Sequence, residues 1–167
     1  WSSDVCSSDL SYKAQKLIMA AALVQSLLKD DYVILSTCKG QDMLGLEYEP
    51  LYSFVDPKKK AYYVVEADYV TLTDGSGIVH IAPAFGEDDA QVGRRYDLPF
   101  LQLVDAQGCF IKEADAFAGM FVKDADAKIL EDLEKRGLLF ASVPYEHSYP
   151  FCWRCDTPLL YYARSTW

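Results

Sequence analysis

Asp74 to Asp89 reads DGSGIVHIAPAFGEDD, and the order of its parts sets the architecture around it. Asp74-Gly75-Ser76-Gly77 is a turn in which two glycines allow backbone conformations closed to other residues and let a ligand approach the main chain. The apolar run from Gly77 to Ile81 predicts a strand with one imidazole, His80, set in it. Pro83, Phe85 and Gly86 then make a bend, after which Glu87, Asp88 and Asp89 stand where a helix should open. Each piece has a purely structural reading as well. Glycine turns connect strands, a histidine can present an apolar body and a polar tip, and acidic residues in a first helical turn suit the macrodipole.

Outward from this stretch, apolar residues recur at helical intervals between Tyr12 and Leu28, and the pattern predicts an amphipathic helix there. Tyr32 to Cys38 is β-branched and aromatic and predicts a strand, closed by a Lys39-Gly40 turn. Short strands are also predicted at Tyr52 to Val55, Ala61 to Ala67 and Phe100 to Val104, with Pro57 and three lysines between the first two. Helices are predicted at Asp88 to Tyr96 and at Lys123 to Arg136, the latter carrying Glu131 and Lys135 at i,i+4 and stopping at Gly137. A Gly108 turn and an acidic loop from Glu113 to Ala118 lie between them. Strands fill the centre and helices flank it without regular alternation. The class is α+β, with an antiparallel or barrel-like β core and flanking helices.

With 167 residues, 51% hydrophobic and 25% charged, the chain falls in the globular range and is long enough for one domain with a real core. A net charge of −9 argues against a broad grip on nucleic acid, so any RNA contact must be local. The longest apolar-leaning stretch, Leu17 to Leu28, falls short of the roughly 20 residues of a bilayer span, and no membrane partner is expected. Five cysteines, an odd number without a secretory signal, fit a reducing cytoplasm better than a disulfide framework. Residues 1–10, WSSDVCSSDL, show neither helical nor strand periodicity and are taken as a non-native scar outside the fold; a Ser-rich loop is the alternative that composition leaves open.

The joint occurrence of Gly-Ser-Gly, Ile-Val-His, Ala-Pro, Gly and the Asp-Asp pair, in order and without gaps, resembles the editing motif of isoleucyl-tRNA synthetases, with Ser76 in place of the usual Thr. His80 points to the isoleucyl enzymes rather than to their valyl and leucyl relatives. KGQDMLGLEYEPL (Lys39 to Leu51) is similar to the segment that precedes the motif in that family, and FAGMFVKDADAKILEDLEKRGLL to its later helix. HSYPFCWRCDTPLLYYARSTW (His147 to Trp167) resembles the exit from the editing domain toward the synthetic core. The resemblance runs from about Tyr12 to Trp167. It implies a partial editing domain over 11–148 and, over 149–167, an exit segment holding a zinc-ribbon half-site.

The resemblance further implies a substrate, valyl-tRNA(Ile), whose 3′-terminal adenosine carries the wrong amino acid as an ester. Discrimination between isoleucine and valine is the standard case in which one methylene gives too little selectivity and a hydrolytic second sieve is added. Asp89 matches the family's amine-binding aspartate, and His80 the residue that walls off the side-chain pocket. Gly75, Ser76, Gly77, Pro83 and Phe85 fall on the substrate-binding part of the motif. Water is the nucleophile in such sites, and an activated ester needs positioning and polarisation more than a strong base. The family's threonine-rich strand and its HIGH-like and KMSKS-like signatures do not occur in this sequence. The chain alone is therefore expected to be inactive in editing and unable to use ATP and magnesium, which belong to the parent enzyme, as does the remainder of the synthetase chain as partner.

Cys152-Trp-Arg-Cys155 is by itself a zinc half-site, a redox pair or a coincidence. The resemblance favours zinc, with the other two cysteines upstream and His147 as a conceivable substitute. A non-catalytic binding module with such a metal-ribbon half-site is the competing reading.

Overall fold

A computed structural model describes residues 6–12, 15–29, 32–73, 75–144 and 148–164. Its regular sheet is open and antiparallel, with three strands in the order β2-β1-β3: β1 is Cys6–Tyr12, β2 Gln15–Ala20 and β3 Tyr32–Lys39. The α+β class stands. The sheet does not close into a barrel among the described residues.

Two expectations at this end of the chain are corrected. Cys6–Leu10, set outside the fold by its composition, makes most of the central strand, pairing with β2 and β3 at once. Its small polar residues carry no strand signal of their own, and two flanking strand edges supply the pairing that sequence could not announce. Ser8 and Leu10, two apart, both point inward at 1% and 0% exposure. The expected helix from Tyr12 to Leu28 shrinks to α1, Val24–Leu28, preceded by a 3-10 turn at Ala21–Leu23. Leu17, Ala20, Val24 and Leu28 suit a helical stripe, yet residues 15–20 gain a full ladder with β1 instead, an instance of tertiary pairing outweighing local pattern. Leu10, Met19, Val24 and Leu28 form the core beneath this sheet.

The strands expected at 52–55, 61–67, 77–81 and 100–104 do not develop into ladders among the described residues. In their place are short pairings. Gly45 N–H donates to the Val64 carbonyl at 2.9 Å, Val64 N–H to the Leu46 carbonyl at 2.8 Å, and Tyr48 N–H to the Tyr62 carbonyl at 2.8 Å. Tyr62 has a left-handed φ of 58°, which breaks the extended run after one bridge, Glu47 to Tyr63. Similarly, Val104 bridges Phe110 around the Gly108 turn.

Both later helices form as expected: α2 is Glu87–Arg95 and α3 is Val122–Lys135. Acidic residues open α2 and Arg94 and Arg95 close it, which suits the dipole at both ends. Val92 of α2 packs on Val65, Ala67 and Val70, with Tyr63, Tyr69, Ile81, Tyr96 and Leu98 around them. The expected acidic loop becomes a 3-10 segment, Lys112–Phe117, that delivers Phe117 into an aromatic group with Tyr52, Phe54 and Phe110 at centroid distances of 5.6, 6.1 and 6.1 Å. α3 is tied to the same group, since Tyr52 donates to Asp132 at 2.8 Å and Arg136 donates to the Leu51 carbonyl at 2.7 Å. Among the described residues no helix is long and apolar enough to cross a membrane.

Phe117 is 5% exposed, so Phe117→Ala should cost about 3–5 kcal/mol of stability. Urea unfolding of the two forms measures it.

Candidate functional site around the start of the second helix

The extended N-cap Gly86 leads the chain from the turn at residues 82–86 into α2. Asp89 is the third residue of the helix, and its side chain turns back over that turn. Its Oδ2 accepts the Ala82 N–H at 3.0 Å, and its Oδ1 accepts the Tyr69 hydroxyl at 2.5 Å. Burial, then the hydrogen bond to Asp89, raise the Tyr69 phenol well above its ordinary value, so Tyr69 stays protonated and is the donor. Gly86 leaves the space this arrangement needs, because a Cβ there would lie 2.9 Å from Asp89 Oδ2. Asp89 is half-buried and makes no ion pair among the described residues.

Tyr69 also lines an open hollow of about 360 Å³, together with Asp68, Asp88, Gln91, Val92 and Arg95. Asp89 meets this hollow only through Tyr69. Arg95 stands 4.0 Å from both Glu66 and Asp68, at the outer limit of ion pairing.

The remaining residues singled out in the sequence are distributed along the approach to α2. Asp74 lies outside the described residues. Gly75 and Gly77 have φ of 68° and 74°, as the turn reading required. Gly77 is buried against Ala20, and the Ser76 carbonyl accepts the Ala20 N–H at 2.8 Å, so the turn is anchored to the end of β2. Ser76 Oγ stays local, 3.3 Å from the Ile78 carbonyl and 3.4 Å from its N–H. His80 is exposed rather than set in a core, and no hydrogen bond among the described residues joins it to Asp89. Pro83 packs where a Cβ on Gly93 of α2 would stand, and the Phe85 N–H closes the bend on the Ala82 carbonyl at 2.9 Å. The geometry thus ties Asp89, Pro83 and Phe85 into one turn and leaves His80 and the glycine turn outside it.

Farther along, Cys152 and Cys155 lie on a tight hairpin. Cys152 N–H donates to the Thr157 carbonyl and Asp156 N–H to the Cys152 carbonyl, both at 2.9 Å, while Cys155 Sγ is 3.1 Å from Thr157 Oγ1. Hydrogen bonds from Thr157, and then from Cys152, hold the Cys155 thiol below its ordinary value. Both thiols are free, and among the described residues no group of three or more His, Cys, Asp or Glu side chains gathers to hold a metal. His147 lies outside the described residues. This C-terminal stretch reaches the helix turn itself, where Ala163 N–H donates to the Ala84 carbonyl at 2.7 Å.

No protein-family profile matches the chain. Against individual proteins it is 54% identical over 153 residues to the isoleucine–tRNA ligase of Clostridium acetobutylicum and 51% identical over 159 residues to that of Clostridium novyi. The isoleucine–tRNA ligase of Thermoplasma volcanium is 46% identical over 164 residues. These alignments take in 92%, 95% and 98% of this chain. The chain belongs to the isoleucyl-tRNA synthetase family. It spans 15%, 15% and 16% of the length of those three synthetases.

Within this stretch of isoleucyl-tRNA synthetase, sequence reasoning passed over Tyr69 and the Ala82 N–H. Neither is near Asp89 in the chain, at 20 and 7 residues' separation, and no spacing rule links them. Gly86 is read from sequence only as part of a bend, although a glycine three residues before a carboxylate was the available signal for their close approach. Because Gly77 combines a left-handed φ with contact against Ala20, Gly77→Ala should lose about 1–3 kcal/mol of stability in urea unfolding.

Proposed function

We propose that this chain is part of the hydrolytic proofreading region of an isoleucyl-tRNA synthetase, acting on valyl-tRNA(Ile). The observation that carries the reading is the state of Asp89. Its carboxylate is half-buried, has no cationic partner among the described residues, and uses two hydrogen bonds of the roughly four it can accept. It therefore keeps capacity for a cationic group, and the protonated α-amine of an aminoacyl ester is such a group. A charge-assisted hydrogen bond of that kind contributes roughly 1.5–3 kcal/mol.

In this reading the amine is anchored by Asp89, and the Gly75-Ser76-Gly77 turn, Pro83 and Phe85 shape the substrate side. His80, exposed on the approach, walls the side-chain pocket so that valine enters and isoleucine does not. Overpacking by one methylene costs about 1–3 kcal/mol, which suits a second sieve. Water attacks the ester carbonyl, the adenosine hydroxyl leaves, and valine is released. No side chain is assigned as general base. The rest of the pocket, the tRNA contacts and the ATP- and magnesium-dependent ligase chemistry belong to the remainder of the synthetase, and the enzyme works in the cytoplasm, where tRNA is charged.

The Cys152–Cys155 hairpin supports a second, structural role. Two free thiols on one turn supply half of a tetrahedral zinc site, and two more ligands would have to come from elsewhere in the synthetase. No step of the hydrolysis depends on that metal.

The test uses a complete synthetase carrying residues 12–167. Asp89→Ala should lower valyl-tRNA(Ile) deacylation roughly 10-fold to 100-fold. Unchanged deacylation would leave the binding-module reading, with its metal-ribbon half-site, in its place. His80→Ala should allow the enzyme to deacylate correctly charged isoleucyl-tRNA, and intact discrimination would remove His80 from the wall.

A further inference from the structure

We propose that Tyr69 is the positioning residue of this site, fixing the Asp89 carboxylate so that its free lone pairs meet the substrate amine. The inference rests on the reading of Asp89 as the amine anchor and adds a residue that the motif does not contain.

Asp89 stands on the first turn of a helix, where a short side chain can swing among rotamers and cap its own helix or face solvent. Here both oxygens instead accept donors from outside the helix. One oxygen is pinned by a main-chain donor, the Ala82 N–H at 3.0 Å, and the other by the Tyr69 hydroxyl at 2.5 Å. Two donors on two oxygens fix both the direction and the rotation of the carboxylate plane. The main-chain donor is set by the turn at residues 82–86 and cannot be changed by a side chain. Tyr69 is thus the adjustable half of the clamp.

The phenol is itself held. Its ring packs in the cluster around Val65, Ala67, Val70 and Val92, and it lines the open hollow beside α2. Burial, then the hydrogen bond to Asp89 and the charges of Asp89 and Asp88, disfavour a phenolate and keep the hydroxyl a donor. Asp68 and Asp88 line the same hollow, Asp68 standing 4.0 Å from Arg95, and the Tyr69 hydroxyl donates to Asp89.

A residue that only supports the fold and one that positions a carboxylate differ in what they do to a substrate without an amine. The experiment compares valyl-tRNA(Ile) with the same tRNA esterified by the α-hydroxy analogue of valine, in a complete synthetase carrying residues 12–167. Tyr69→Phe should reduce kcat/KM for valyl-tRNA about tenfold, mostly as a rise in KM, and change hydrolysis of the hydroxy ester less than about twofold. Asp89→Asn should give the same selective loss, and the double variant should be no worse than Asp89→Asn alone. Equal losses on both esters with Tyr69→Phe would make Tyr69 a fold residue and overturn the inference, as would no loss on either. If Asp89→Asn spares valyl-tRNA hydrolysis, the amine-anchor reading itself fails and this inference with it. If Asp89→Asn is impaired while Tyr69→Phe is not, only the role of Tyr69 fails. Tyr69→Phe removes a single oxygen, and a second variant, Tyr69→His, which returns a donor to the cluster, should recover part of the selective loss.

Discussion

A half-buried carboxylate that accepts one phenol hydroxyl and one backbone N–H holds three separate pieces of this chain together. Asp89 belongs to α2, Ala82 to the turn that leads into it, and Tyr69 to the apolar ribbon on which α2 lies. Desolvating a carboxylate costs free energy unless donors replace the lost water. The two donors here meet that requirement, and the local fold settles around them. Gly86 must lack a side chain for the carboxylate to lie back over the turn, and Gly93 must lack one for Pro83 to pack on the helix. The glycines and the proline of the motif are therefore spacers for one interaction as much as they are a bend.

Other parts of the molecule are arranged to keep that corner in register. The glycine turn is fastened to the end of β2 through the Ala20 N–H, and the C-terminal stretch reaches the same turn from the other direction at Ala84. The aromatic group at Phe117 and the Tyr52–Asp132–Arg136 network secure α3 to the central segment. Under the proposed function such support matters, because small displacements of a positioning group are costly in rate.

Much of this was legible in the sequence, for reasons that differ from residue to residue. α2 and α3 announced themselves through acidic openings, a 3.6-residue stripe and Gly137, all of which are local properties. The positive φ of Gly75 and Gly77 followed from the turn chemistry of the motif. The family was legible too, because an ordered string of unlike residues is far more specific than any one of its parts. What could not be read depends on partners distant in the chain. Cys6–Tyr12 became a strand through the edges of β2 and β3, residues 15–20 left a helical pattern for that ladder, and residues 61–67 lost a strand to the left-handed φ of Tyr62. The same holds at the start of α2. Asp89 was singled out from the motif, whereas the Tyr69 hydroxyl that bonds it, 20 residues earlier, could only be found once the chain was folded.

The claim that the Asp89 carboxylate receives the substrate amine is tested most directly by binding without turnover. The ligand is an adenosine carrying valine through an amide in place of the labile ester, titrated calorimetrically into a complete synthetase, with the version lacking the amine as reference. The account requires the amine to strengthen binding roughly tenfold or more in the unaltered enzyme, and that advantage to vanish in Asp89→Asn. An amine advantage that survives the loss of the carboxylate, or that is absent from the start, would contradict it.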